Sequence, residues 1–78
     1  MSRLKSILEA FGINEVYIKE EKVIKLIIVK RNKELRSYEW VNFIIAIKCL
    51  FNKEVEFISF FKEHYLSSYT HLRGDNNG

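Results

Sequence analysis

The amino-acid sequence predicts an α+β domain whose elements run α-β-β-α-β-α, with a three-stranded mixed sheet covered by helices. Three observations carry this. Apolar residues recur at helical spacing in three stretches, β-branched and aromatic residues alternate or run together in three others, and no proline interrupts any of them in 78 residues.

Leu4, Ile7, Leu8 and Phe11 fall at i, i+3, i+4 and i+7, which predicts a first helix beginning near Ser2 with one apolar stripe. Gly12 ends it in a left-handed cap, with Ile13 folding back on the last turn. Val16 and Ile18 alternate with Tyr17 and Lys19 in a first strand, and Val23 to Val29 form a second with apolar residues on both parities. That pattern predicts a central strand covered by other elements. Lys19-Glu20-Glu21-Lys22 joins the two without the Asn-Gly or Asp-Gly of a two-residue hairpin, so the turn type stays open.

Lys30 to Arg36 reads as a polar connector. Ser37 is the expected N-cap of the next helix, with Glu39 in its first turn. Positions 40, 41, 43, 44, 45, 47, 50 and 51 are apolar and leave only Asn42, Lys48 and Asn52 on a polar edge. A helix hydrophobic nearly all round must meet the sheet on one side and a further helix or another chain on the other. Val55, Phe57 and Ile58 predict a third strand, parallel to the second through a right-handed crossover. Ser59 then caps a last helix carrying Phe61, Tyr65, Leu66, Tyr69 and Leu72. Residues 1–72 are thus expected to form one domain and 73–78 a disordered tail.

Composition bounds the function. No apolar run approaches the roughly 18 residues of a membrane-spanning helix, and Met1 to Leu8 lacks the apolar core of a secretion signal, so a cytoplasmic protein without membrane attachment is expected. The single Cys49 offers neither an internal disulfide nor a metal framework. Eleven aromatic side chains in so short a chain exceed what a small core can hide, which points to a homo-oligomer or a protein partner. Trp40, Phe60, Phe61, Tyr65 and Tyr69 are the expected interface anchors.

The net charge of +3 is uneven: residues 1–36 carry +4 and residues 37–78 carry −1. Lys25, Lys30, Arg31, Lys33 and Arg36 form a basic group that could contact phosphates, which makes nucleic-acid binding the alternative function. The same order of elements fits RNA-binding domains of the KH type, whose Gly-x-x-Gly clamp is missing.

Catalytic signals are lacking. The three glycines, Gly12, Gly74 and Gly78, cannot build a phosphate loop. His64 and His71, two turns apart on the expected last helix, are too distant to share a metal ion. Glu54 and Glu56 share a strand face and read as surface charges. Arg73-Gly74-Asp75 spells an integrin tripeptide on a chain without a secretion signal. No catalytic residue, metal site or cofactor is assigned, and the protein is expected not to be an enzyme.

Ile7 to Ile18, with its short helix, glycine and strand, resembles the opening of minimal nucleotidyltransferases. Ile24 to Val29 and Asn52 to Ile58 are similar to the two strands that carry that family's acidic residues. The family's Gly-Ser loop has no counterpart, its Asp-x-Asp pair falls at Val23 and Lys25, and only Glu56 keeps an acid at the third position. A lysine at a ligand position repels the divalent ions this chemistry needs. The resemblance therefore implies a shortened, degenerate member, without catalysis, that pairs with a helical protein in a toxin–antitoxin-like module.

Overall fold

The structure, a computed structural model, describes residues 2–58 and 66–74. Its order is α1 (Ser2–Ala10), β1 (Ile13–Glu20), β2 (Val23–Arg31), α2 (Ser37–Phe51), β3 (Glu54–Phe57), a 3₁₀ turn (Leu66–Ser68) and β4 (Thr70–Arg73). The sheet has four strands in the order β3-β2-β1-β4. β1 pairs antiparallel with both β2 and β4, and β2 pairs parallel with β3.

Gly12 closes α1 at φ +73°, donating its N–H to Glu9 O. Ile13 follows it straight into the core. The β1–β2 turn is tight, with Glu20 opposite Ile24 and Glu21 N–H donating to Val23 O. Neither Glu21 nor Lys22 takes a positive φ, as expected of a turn without glycine or asparagine. β2 runs on through Lys30 and Arg31, so the polar connector is shorter than the sequence suggests.

Val16 and Ile18 of β1 and Ile24, Leu26 and Ile28 of β2 face the helices. Leu4 and Leu8 of α1 and Phe43 and Ile47 of α2 close the core over them. Phe43 is completely buried, with the rings of Phe11, Trp40 and Phe57 around it at centroid distances of 5.4, 6.4 and 6.3 Å. α2 ends at Asn52, whose left-handed φ of 56° turns the chain into β3.

Three expectations are corrected. The N-cap of α2 is Arg36, not Ser37, because the Glu39 carboxylate reaches back to accept the Arg36 backbone N–H at 2.9 Å. That leaves Ser37 as the first helical residue. The last helix is not continuous over 59–72: residues 59–65 lie outside the described ones, Leu66–Ser68 is a 3₁₀ turn, and Thr70–Arg73 is a fourth strand. The open edge of β1 supplies the hydrogen bonds that draw this segment into the sheet. Arg73 accordingly belongs to β4 rather than to a disordered tail, and Gly74 N–H still bonds Asn14 O at 2.6 Å.

Candidate functional site

α2 presents two unlike faces. Its inner face carries Phe43 and Ile47 into the core. Its outer face carries Tyr38, Val41 and Ile45, at i, i+3 and i+7, and these are 63, 54 and 51% exposed. Exposed Cys49 continues the stripe by one turn. Asn42 flanks it on one side, and Lys48, whose ammonium is 3.3 Å from the Glu54 carboxylate, on the other. Beside the stripe, a groove of about 390 Å³ runs between α1 and α2, lined by Arg3, Ser6, Ile7, Ala46, Cys49 and Leu50.

Of the expected anchors, Trp40 and Tyr69 stand apart from this face. Trp40 is half-buried at the margin of the core, edge-on to Phe43 and Phe57, with the Arg31 guanidinium 5.6 Å from its ring centroid. It walls an apolar cleft with Leu26, Ile28, Phe57 and Ile58. Tyr69 is buried just before β4, with the Lys19 ammonium 5.7 Å from its ring centroid, and does not stand exposed on a helix. Phe60, Phe61 and Tyr65 lie outside the described residues. Tyr38, Val41 and Ile45 are not among the anchors the sequence leads one to expect, although they fall on one helix face at i, i+3 and i+7. Their spacing was the available signal.

The five basic residues are not gathered into one free patch. Arg31 pairs with Glu34 at 3.4 Å and Lys33 with Glu39 at 3.1 Å. Arg36 lends its backbone N–H to Glu39, and that bond, followed by Lys33, holds the Glu39 carboxyl below the usual carboxylate range. Lys25 stands on the other face of β2, directly across from Lys19. Glu21 accepts both ammonium groups, at 2.9 Å from Lys19 and 3.4 Å from Lys25, which relieves their repulsion. The Lys19 bond is the main reason its carboxyl lies below the ordinary value. Lys30 lines a small polar hollow with Asn14, Glu15, Asn32 and Arg73.

His71 is on β4, not on a helix. Its ring stacks on Tyr17 at 4.3 Å between centroids, and Nε2 lies 2.6 Å from a Glu15 carboxylate oxygen. Glu56 is in register with Lys25, while Glu54 is held by Lys48. Among the described residues, no three His, Cys, Asp or Glu side chains come together as metal ligands. No helix among them is long and apolar enough to cross a membrane. The chain matches no protein-family model, no curated protein and no solved structure.

Proposed function

We propose that this chain is a non-catalytic protein-interaction module that associates with a second copy of itself through the outer face of α2. One observation carries it: three large apolar side chains, all more than half exposed, form one stripe on a rigid helix whose opposite face anchors the core. Water contact with such a stripe costs roughly 25 cal/mol for each Å² of apolar surface, and a matching surface removes that cost. A second copy is the partner always present at the chain's own concentration. Closed two-fold dimers are the commonest assemblies of this kind.

A helical partner protein, as the nucleotidyltransferase resemblance implies, is the other candidate for this face. In that resemblance Val23, Lys25 and Glu56 would stand where catalytic acids stand, and Lys25 brings an ammonium to the middle of them. Nucleic-acid binding through Lys25, Lys30, Arg31, Lys33 and Arg36 has less support, since Arg31 and Lys33 are paired with Glu34 and Glu39 and Lys25 shares Glu21 with Lys19.

The test is sedimentation equilibrium of the full chain from low to high micromolar concentration. The wild type is expected to pass from the mass of one chain to that of two, and Ile45→Asp to hold the mass of one throughout with an unchanged circular dichroism spectrum. A wild type that keeps the mass of one copy over the whole range overturns the proposal.

A further inference from the structure

We infer that the two copies join α2 to α2 antiparallel about a two-fold axis, with Tyr38 of each copy seated in the α1–α2 groove of the other. This rests on the self-association proposed above and adds its geometry. In a two-fold interface, whatever residue i touches at j must also be touched at i by j, so every projection needs a recess at the matching distance across the axis. α2 has such a pair. Tyr38, the most exposed of its large apolar side chains, is the projection. The recess is the groove of about 390 Å³ beside Cys49, where Ser6, Ala46 and Cys49 are all small.

At 1.5 Å per residue, Tyr38 and Cys49 lie equally far, about 8 Å, on either side of a point between Phe43 and Ile44. An antiparallel helix centred there sets Tyr38 against the partner's Cys49. It also brings Val41 to the partner's Ile45 within one residue. The phenol ring then covers Ile7 and Leu50, and its hydroxyl reaches the polar rim formed by Arg3 and Ser6. Asn42 falls close to the axis, where a polar side chain fixes register. Parallel pairing has none of these matches, because it sets Tyr38 against Tyr38, leaves both grooves open and aligns the two helix dipoles.

Cys49 is the chain's single cysteine, which makes the arrangement readable by cross-linking. Mild oxidation of Tyr38→Cys with diamide, which takes up the two electrons and two protons of each thiol pair, is expected to give a covalent dimer linked from position 38 to Cys49. The oxidised wild type is expected to stay unlinked, since the two copies of Cys49 stand about 16 Å apart along the helix direction. A second variant keeps the tyrosine: Asn42→Cys with Cys49→Ser is expected to be joined across the axis by a short bismaleimide. Tyr38→Ala, with its fold intact by circular dichroism, is expected to associate about tenfold more weakly or worse. A chain that dimerises by mass while neither cysteine variant links, or a wild type that links readily through Cys49, overturns this pairing and leaves self-association standing. A wild type that is a monomer at every concentration overturns both.

Discussion

Truncating Phe43 is expected to bring the domain close to unfolding. The ring is completely buried and is the point where α1, α2 and β3 meet, with Phe11, Trp40 and Phe57 around it. Rings on three sides, held by the turn after α1, by α2 itself and by β3, cannot collapse into the space, so Phe43→Ala loses both the buried surface and the contacts lining the gap. Such losses amount to about 3–5 kcal/mol. A chain of this length has about 4–12 kcal/mol of stability in all. With a urea slope near the low end for small proteins, about 1 kcal/mol per molar, the midpoint falls by about 3 M or more. Trp40, 5.8 Å from Phe57 and in edge contact with Phe43, is the single tryptophan and reports the transition by fluorescence. The measurement belongs at the lowest usable concentration, where association adds nothing to apparent stability. A loss below about 1 kcal/mol with an unchanged slope would refute the assignment of Phe43 as the central packing residue.

Two further outcomes follow from the turns and the charges. Gly12→Ala is expected to cost about 1–2 kcal/mol, because φ +73° is disfavoured for any side chain and the new Cβ would stand 3.3 Å from Lys33 Cγ; an unchanged urea midpoint would show that the turn relaxes freely. Glu21 and Glu39 hold their protons less tightly folded than unfolded, so their stabilisation is complete above the ordinary carboxylate range and is lost as pH falls through it toward the lowered folded values. Melting temperature should therefore drop on acidification, and less steeply in a Glu21→Gln/Glu39→Gln variant; equal slopes in the two proteins would refute the role given to these carboxylates.

Local chemistry made much of the fold legible. Gly12, the apolar stripe from Leu4 to Phe11 and the doubly apolar run of β2 each act on neighbours within a few residues, and each element stands where its pattern puts it. β4 was illegible for the opposite reason. Tyr69 and Leu72 fit helical spacing, and what makes Thr70–Arg73 a strand is β1, with His71 reaching Glu15 from 56 positions away. The start of α2 turned on a detail of the same kind: Ser37 is the better capping residue by type, but Glu39 bonds one residue earlier.

The candidate site was half legible. The run from Trp40 to Phe51 implied a helix with a second apolar face, and α2 has one. Which residues occupy it depends on how the helix is rolled on the sheet. Phe43 fits between Phe11 and Phe57, which turns Trp40 inward to the margin and Tyr38, Val41 and Ile45 outward. Tyr69 shows the same limit, since its burial follows from a strand that its own spacing did not announce.

The position of β4 also sets a clock. A ribosome adding about 5–20 residues per second needs about 3–11 s to travel the 56 positions from Glu15 to His71. During that interval the β1–β2 hairpin, being local, can already form, while the far edge of β1 offers its N–H and C=O groups to any strand that arrives. The β1 edge is thus the last part of this sheet to be closed. The seconds before Thr70–Arg73 closes it are when two nascent copies on neighbouring ribosomes could exchange strands.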